Sequence, residues 1–256
     1  MLTAKGFEAA FGYIKLFRDG LVTTVTTSAL TVLFGFMLAL ILALMRMSNF
    51  RPLGFLTQIK GCGHNPVVRG IARFNPVSFI ASVYVEVFRA TPLLVQLFIV
   101  YYILLDGITL PAFKLFGMIR FERMIPGVIA LCLNSGAYLS EIIRSGIQAI
   151  DGGQTEAARS LGMTQGQNMR YIVLPQAIKN ILPAIANEFV TIIKESSICW
   201  TIGVQEVMFA VNSIKSATYF IGEPLIIAAC VYFCLTFPTS KIIAYFERRM
   251  SRGDKR

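Results

Sequence analysis

Charged residues are scarce in this chain. Aspartate, glutamate, lysine and arginine make up 15% of its 256 residues, whereas hydrophobic residues make up 55%. Soluble domains carry roughly 25% charged residues, so this composition excludes an ordinary soluble protein and is typical of a membrane protein. The net charge of +10 does not indicate nucleic-acid binding, because the basic residues lie between long apolar runs and not on a polar domain of their own.

Metal-binding and phosphate-binding motifs are absent from the sequence. The single histidine, His64, lies near Cys62, but one cysteine and one histidine cannot complete a four-ligand zinc site. Cys230 and Cys234 are expected to pack as small apolar side chains. No Gly-Lys-Ser or Gly-Lys-Thr occurs, so the chain lacks the loop that cradles the phosphates of ATP. We therefore expect no metal and no cofactor in this chain.

The first twenty residues also lack the features of a secretory signal peptide, which has a short apolar core followed by a small-residue cleavage site. Phe7, Phe11 and Ile14 recur at helical spacing among basic residues. This pattern predicts an interfacial helix over residues 1–20 that leads into the first membrane span.

Apolar runs predict five membrane-spanning helices, since about 20 residues are needed to cross a hydrocarbon core roughly 30 Å thick. The first runs from Leu21 to Met45 without a charged residue. The other four are Val77–Leu105, Ile125–Ile143, Ile181–Gly203 and Pro224–Tyr245. The fourth contains Glu188, Lys194 and Glu195, and by itself it also fits a soluble amphipathic helix. Each of these charges would cost roughly 3 kcal/mol in lipid, so as a span it must face protein or water.

The distribution of basic residues predicts which segments face the cytoplasm, because lysine and arginine concentrate on that side. With five spans and a cytoplasmic C-terminus, the inner segments hold fifteen lysines and arginines and the outer segments hold seven. The inner segments are 46–75, 144–180 and 241–256, and the outer segments are 1–20, 105–125 and 204–223. This excess predicts that the N-terminus lies outside and the C-terminus lies inside.

A polar stretch, TEAARSLGMTQGQNMRYIVLPQA at residues 155–177, separates the third and fourth spans. Ala157, Ala158 and Leu161 fall on one face of a short predicted helix. Thr155 is its candidate N-cap, and Glu156 suits the positive end of the helix dipole.

The rest of the stretch predicts a turn and a second helical piece. Gly162 permits a backbone turn that a side chain would hinder. A second helix over about 165–173 would carry Met169, Ile172 and Val173 inward, and Pro175 would direct the chain into the next span. Two interpretations remain open on these residues alone: a helix-turn-helix that protrudes from the membrane, or an amphipathic hairpin lying on the lipid head groups.

The spacing within the stretch is specific: EAA, three residues, Gly, nine residues, then I-x-L-P. This pattern resembles the cytoplasmic signature loop of ABC importer permeases. In that family the loop forms a coupling helix that seats in a cleft of the ATP-hydrolysing subunit. The resemblance implies the same ATPase-coupling role for Glu156, Ala157, Ala158, Gly162, Ile172, Leu174 and Pro175.

Three further segments look like the polar amino-acid branch of these permeases, the histidine, glutamate, glutamine and arginine type. They are YVEVFRATPLLVQLF at 84–98, NSGAYLSEIIRSGI at 134–147 and NEFVTIIKESSI at 187–198. Two features depart from the branch: residues 58–70 form an insertion, and Glu195-Ser196-Ser197 stands where an Asp-Thr-Ser-type sequence is usual.

The resemblance implies an all-α integral membrane protein with about five spans, the coupling loop lying between the third and fourth. It divides the chain into an interfacial segment (1–20), a transmembrane permease domain (21–248, with its signature loop at 151–177) and a basic cytoplasmic tail (249–256). The chain would import polar amino acids across the bacterial inner membrane and would not be an enzyme.

The resemblance also implies partner proteins. Two ATP-binding subunits would carry ATP and magnesium, and a second permease chain, identical or similar, would complete the membrane part. An extracytoplasmic binding protein would deliver the amino acid.

Charged and polar residues within the spans are candidates for the substrate path, since such residues are rarely idle in a membrane. They are Glu86, Arg89, Asn134, Glu195 and Ser196. Glu86 and Arg89 are three residues apart and can pair on one helix face. The structural alternative is that these residues only pair between helices or reach the interface.

Two other functions stay open on the residues alone. One is a secondary amino-acid transporter driven by an ion gradient, with Glu86 or Glu195 as its proton-linked group. The other is a purely structural or assembly protein of the membrane. A requirement for ATP distinguishes the importer from both.

Overall fold

The structure is a computed structural model that describes residues 2–54 and 66–251, and side chains except those of residues 66, 67 and 251. Within this range the chain forms eleven α-helices and one short β-hairpin. The helices are α1 (Ala4–Gly12), α2 (Ile14–Met47), α3 (Pro66–Arg73), α4 (Pro76–Ala90), α5 (Leu93–Ile99), α6 (Phe121–Gln148), α7 (Gly152–Ser160), α8 (Gln165–Asn168), α9 (Leu174–Glu195), α10 (Val207–Thr218) and α11 (Gly222–Ser251).

Three of these helices continue into segments of different helical geometry. A π-helical turn over Val100–Leu104 follows α5, another over Met169–Val173 follows α8, and a 3-10 stretch over Ser196–Ile202 follows α9. The strands β1 (Lys114–Leu115) and β2 (Ile119–Arg120) pair antiparallel just before α6. The all-α membrane fold predicted from the sequence is therefore confirmed, with this hairpin as its one β element in the described residues.

Three helices in the described part of the chain are long and apolar enough to cross a membrane: α2, α6 and α11. Helix α4 and the segment Leu93–Leu104 pass the same test only as a pair, which bends by 112° at Thr91 and Pro92 and has the form of a broken span or a re-entrant loop. Helix α9, the predicted fourth span, is long enough at 22 residues but is not among the helices that meet this test. The count of five spans stays a prediction.

The N-terminal helix is attached to the beginning of α11. Thr3 caps α1 by accepting a hydrogen bond from the Gly6 amide (3.0 Å), and its own amide donates to Glu223 Oε1 (2.7 Å). Helix α2 then begins at Ile14, so the structure divides the predicted interfacial segment 1–20 between α1 and the first turns of α2. These bonds place the N-terminus beside the first turn of the last long helix.

Helices α2 and α6 pack through small residues, which allow two membrane helices to approach closely. A Cβ added to Gly35 would lie 3.5 Å from Ser135 Oγ, and one added to Gly136 would lie 2.8 Å from Leu38 Cδ2. At one end of this pair, Arg46 of α2 and Arg144 of α6 both donate to the carboxylate of Glu141. This ion cluster joins the end of α2 to the part of α6 that precedes the polar stretch.

A buried carboxylate fixes the position of α10. The side chain of Glu206 accepts hydrogen bonds from the amides of Met208 (2.9 Å) and Phe209 (2.8 Å) and from the Tyr232 hydroxyl of α11 (2.7 Å). It is 1% exposed, and burial raises its pKa to about 7 although the three hydrogen bonds lower it. A Cβ on Gly20 would lie 2.8 Å from the Glu206 carbonyl carbon, so α2 also lies directly against this point.

Two cysteines predicted to pack as small apolar residues do not do so. Cys230 and Cys234 are exposed on α11. The reason is that α11 is the least buried of the three long apolar helices, with 6% of its most apolar window buried within the chain. An apolar side chain on α11 can therefore be shielded from water by lipid or by a partner protein, and not by the core of this chain.

Candidate functional site

The polar stretch folds into α7 and α8, which lie between α6 and α9. Helix α7 begins at Gly152 because Asp151 caps it, accepting a hydrogen bond from the Gly153 amide (2.9 Å). The prediction that Thr155 caps this helix is therefore wrong. Asp151 comes earlier in the chain, and aspartate is a favoured N-cap residue. Thr155 lies inside α7, where its hydroxyl accepts a hydrogen bond from Asn168 Nδ2 (3.1 Å) and so joins α7 to the end of α8.

Gly162 makes the turn between the two helices, as the sequence predicts. Its φ is +82°, in the left-handed region that favours glycine. The Gly162 amide donates to the Arg159 carbonyl (3.0 Å) and the Met163 amide to the Ala158 carbonyl (3.1 Å), which satisfies the end of α7. A Cβ at Gly162 would meet no atom within 4 Å, so conformation and not packing requires glycine here.

Helix α8 runs into α9 without a loop. A reciprocal capping box begins α8: the Gln167 amide donates to Thr164 Oγ1 (3.3 Å), and the Thr164 amide donates to Gln167 Oε1 (2.8 Å). The π turn then leads directly to Leu174, and Pro175 lies in the first turn of α9. Val173 is buried, consistent with the inward face predicted for it.

The predicted shared face of Ala157, Ala158 and Leu161 is divided in two. Ala158 is 2% exposed, whereas Leu161 is 84% exposed and Ala157 also faces solvent. Residues four apart on a helix lie nearly in line, but neighbours differ by about 100°. Ala157 and Leu161 therefore form an outer face, beside the exposed Glu156 and Gly162, and Ala158 packs inward.

The seven residues of the predicted coupling motif lie in one continuous segment. The exposed members are Glu156, Ala157, Gly162, Leu174 and Pro175; Ile172 is half-buried and Ala158 is buried. Gln176 also connects the ends of this segment, because its Nε2 donates to Gln154 Oε1 of α7 (2.6 Å). The segment thus presents an exposed surface while its two halves are bonded to each other.

A second polar cluster surrounds the break between α4 and α5. Gln96 Nε2 donates to the carbonyls of Phe88 (2.8 Å) and Thr91 (3.0 Å), and Asn134 Nδ2 of α6 donates to Gln96 Oε1 (2.9 Å). Backbone carbonyls freed by a helix break need such partners, since lipid offers none. Sequence reasoning missed Gln96; the available signal was an amide four residues after Pro92 within an apolar run.

The predicted pair of Glu86 and Arg89 is not formed. The ion pairs within the described residues are Arg18–Asp19, Arg46–Glu141 and Arg144–Glu141. The Arg89 guanidinium instead lies over the Tyr138 ring of α6, 5.6 Å from its centroid. Glu86 and Arg89 are both exposed on the surface of the single chain.

The remaining path candidates lie at the end of α9. Glu195 is half-buried, and Ser196 is 1% exposed with its hydroxyl donating to the Ile193 carbonyl (2.9 Å). Within the described residues, no hydrogen bond or ion pair joins this end of α9 to Glu86, Arg89 or Asn134. The structure therefore does not gather the candidates: Asn134 is buried beside Gln96, Glu86 and Arg89 are exposed on α4, and Glu195 and Ser196 lie at the end of α9.

The insertion predicted at 58–70 lies mostly outside the described residues, as do Cys62 and His64. Its last five residues belong to α3.

Comparison with known proteins gives a consistent result. Residues 66–252 match the family described as "Binding-protein-dependent transport system inner membrane component". The chain is 39% identical to the arginine transport system permease protein ArtQ of Bacillus subtilis, over 97% of this chain and 98% of that protein. It is 35% identical to a putative glutamine transport system permease protein, GlnP, of Rickettsia conorii, over 93% and 95% of the two chains.

Solved structures agree with these relatives. One chain of an amino acid ABC transporter, with histidines, has a TM-score of 0.79 and 40% identity over 97% of this chain and 100% of that chain. A chain of the MetNI methionine ABC transporter, in an inward-facing conformation, has a TM-score of 0.60 at 17% identity, over 95% and 98% of the two chains, which shows the fold alone.

Proposed function

The chain belongs to the family of binding-protein-dependent transport system inner membrane components, as the permease component of an amino-acid ABC importer, and we propose that its 152–175 segment couples transport to a partner ATPase. The chain itself is not an enzyme, since the ATPase of this family is a separate subunit. The observation that carries the proposal is the exposed outer face of α7, which ends in the left-handed turn at Gly162. The two alternatives considered from the sequence, a secondary transporter and an assembly protein, are not needed to explain these residues.

The geometry supports a docking role for this segment. Exposed apolar side chains next to an exposed acid favour a protein partner over water. Leu161, Tyr171 and Leu174 are 84%, 63% and 41% exposed. The Thr155–Asn168 and Gln154–Gln176 hydrogen bonds hold α7 against the segment that leads into α9, so a partner that moves α7 also moves the beginning of α9.

The assembly that fits this permease contains two ATP-binding subunits, which bind ATP and magnesium, and an extracytoplasmic binding protein. A second permease chain, identical or similar, is supported by the exposed Glu86 and Arg89, because in lipid these charges require protein or water beside them. We place the complex in a bacterial inner membrane with the N-terminus outside and the C-terminus in the cytoplasm. The coupling segment is then cytoplasmic.

For the substrate path we retain Glu86, Arg89, Asn134, Glu195 and Ser196. An amino acid carries an ammonium and a carboxylate, which suit glutamate and arginine side chains respectively. Asn134 acts through Gln96 on the helix break and is the positioning member of the set. The relatives carry names of arginine and glutamine transport systems, and the amino acid carried by this chain is proposed to belong to the same polar class.

Affinity purification of the tagged chain from its native membrane tests the docking role. We expect an ATPase subunit to co-purify with the wild type and to be lost from the Glu156→Lys, Gly162→Asp double variant, because both changes lie on the exposed surface and not in the core. Arg249→Gln, an exposed change on α11, serves as the control that keeps the ATPase. A double variant that retained the ATPase would contradict the docking assignment.

Uptake by Glu195→Gln tests the substrate path. The variant is expected to lose at least about 10-fold in the rate of amino-acid uptake, the effect of removing one charged contact. It should still co-purify with the ATPase, since Glu195 lies at the far end of α9 from the coupling segment. Glu8→Gln, which removes an exposed glutamate of α1, is the matched control. Normal uptake by Glu195→Gln would exclude Glu195 from the path.

A further inference from the structure

The ion cluster at the predicted cytoplasmic ends of α2 and α6 belongs to neither site described above. The carboxylate of Glu141 on α6 accepts hydrogen bonds from Arg46, near the end of α2, and from Arg144, one turn further along α6. A further bond, from Arg144 Nε to Glu141 Oε2, measures 3.2 Å. The side chains of Arg46 and Glu141 are 13% and 22% exposed, so salt and water screen this pair less than a surface pair. Glu141 is therefore the member that joins the two helices.

The same end of α2 is also bonded to α4. The hydroxyl of Ser78, in the first turn of α4, donates to the Arg46 carbonyl (3.1 Å). Asn75, which caps α4, donates through Nδ2 to the Ser48 carbonyl. Arg46 is thus bonded to Glu141 through its side chain and to Ser78 through its backbone. A displacement of Glu141 therefore acts on α2 and α4 together.

On its other side the cluster continues toward the coupling segment. Arg144 Nη1 donates to the side-chain oxygen of Gln148 (2.6 Å), the last residue of α6. Residues 149–151 separate α6 from α7, and three extended residues span at most about 11 Å. The first of them stays bonded to α6, because the Ala149 amide donates to the Ser145 carbonyl (2.9 Å). So short a connection takes up little movement, and a displacement of α7 is passed to the end of α6.

We propose that Glu141 is a positioning residue of the transport cycle, which passes movement of the coupling segment to α2 and α4 through Arg46. The inference rests on the proposed function, because it takes the segment to be moved by a partner ATPase. Small residues pack α2 against α6 mainly by van der Waals contact, whereas charge-assisted hydrogen bonds also fix the geometry. Without the cluster the segment still docks, but α2 and α4 no longer follow it. A merely structural role predicts instead that uptake and ATP hydrolysis fall together.

The test uses proteoliposomes that contain the complete complex of permease and ATPase, with ATP enclosed in the lumen. The binding protein and a radiolabelled mixture of arginine, lysine, histidine, glutamine and glutamate are added outside. Only complexes whose ATPase faces the lumen can then hydrolyse ATP, and the same complexes carry out uptake. Both quantities are measured in the same vesicles, and the readout is the number of ATP molecules hydrolysed per amino acid taken up.

Glu141→Gln and Arg46→Gln are each expected to lower uptake about 10-fold or more, the effect of removing one charged hydrogen bond. Hydrolysis should stay within about twofold of wild type, so the ATP hydrolysed per amino acid should rise about fivefold or more. Reversing the pair, with Arg46→Glu and Glu141→Arg together, should restore the ratio to within about twofold of wild type, because opposite charges again face each other. Either reversed change alone should raise the ratio.

Asp19→Asn is the matched control. Asp19 pairs with Arg18 (3.1 Å), and its side chain is 29% exposed, close to the 22% of Glu141. That pair lies within α2 and near its other end, so it joins no two helices. The variant should keep the uptake, the hydrolysis and the ratio of the wild type.

Two results would overturn the proposal and leave the importer intact. One is an unchanged ratio in Glu141→Gln or Arg46→Gln, whether both activities persist or both fall together. The other is a reversed pair that is no better coupled than its single changes, because charge attraction between α2 and α6 would then not be what couples them. A wild-type complex that takes up none of the five amino acids would overturn the proposed function, and the present inference with it.

Discussion

Replacing Gly162 with aspartate is expected to abolish ATP-driven amino-acid uptake while the chain still folds and inserts. The glycine has φ +82° and open space around its Cβ position, so an aspartate there clashes with nothing. Asp is one of the residues that tolerate the left-handed region, and the cost to folding is on the order of 1 kcal/mol. The new carboxylate instead lies on the surface proposed to meet the ATPase, where an unpaired interfacial charge costs roughly 2–5 kcal/mol. Uptake in proteoliposomes should fall about 100-fold.

Two further variants separate charge from conformation. Gly162→Asn has the same size and the same tolerance of positive φ without the charge, so it should lose much less uptake than Gly162→Asp. Gly12→Asp places a carboxylate at another glycine with open space around it, at the end of α1, and should transport normally. Normal uptake by Gly162→Asp would mean that the 152–175 segment does not dock. Equal losses in the Asn and Asp variants would assign the effect to backbone strain.

Replacing Glu206 with leucine is expected to produce the largest loss of stability. The change leaves the Met208 amide and the Tyr232 hydroxyl without their buried acceptor, whereas the Phe209 amide keeps its bond to the Glu206 carbonyl (3.1 Å). Each buried group left without a partner costs about 1–3 kcal/mol, so the free energy of unfolding should fall by at least about 2 kcal/mol. Tyr232→Phe removes one donor together with its need for a partner and should cost about 1 kcal/mol.

Thermal unfolding in detergent measures both effects, with Glu8→Leu as the control for loss of an exposed glutamate. In the double variant the two costs should not add, because the residues share one hydrogen bond. A Glu206→Leu protein as stable as the control would show that the carboxylate does not fix α10.

The same residue gives the protein a pH dependence of stability. The pKa of Glu206 rises from the ordinary value of 4.5 to about 7 in the folded chain because of burial. The folded state therefore binds a proton more tightly than the unfolded state does. The corresponding stability is fully present below pH 4.5 and is lost as the pH rises through 7. Melting curves of wild type and Glu206→Gln at pH 5 and pH 8 should show the larger decrease in the wild type; equal decreases would contradict this assignment.

The coupling segment could be predicted from the sequence because its determinants are local. The spacing from Glu156 to Gly162 and on to Pro175 specifies a helix, a left-handed turn and the beginning of the next helix, and the structure has all three. The errors are also local and small. Asp151 rather than Thr155 caps the helix. Ala158 faces inward while Ala157 and Leu161 face outward, because neighbouring helix positions differ in direction by about 100°.

The contacts that position the rest of the chain could not be predicted in this way, because they join residues far apart in sequence. Gln96 and Asn134 are 38 residues apart, and Glu206 and Tyr232 are 26 apart. A single sequence gives no sign that such residues meet. The Glu86–Arg89 prediction failed for the same reason, since the competing partner of Arg89 is Tyr138 on another helix.

Because the helix continues from α8 into α9 without a loop, a movement at α8 can be transmitted to α9 as a rigid rotation. From Asn168 through Leu174 the backbone keeps right-handed helical angles, so Gln165–Pro183 is one rod roughly 27 Å long. The left-handed turn at Gly162 precedes the near end of this rod, and Pro183 within α9 provides a place to bend at the far end. A tilt of about 5° about its near end displaces the far end of such a rod by roughly 2 Å. In the proposed coupling, a small closure of the ATPase would become a side-chain-sized movement inside the membrane, because no loop interrupts the helix between α8 and α9.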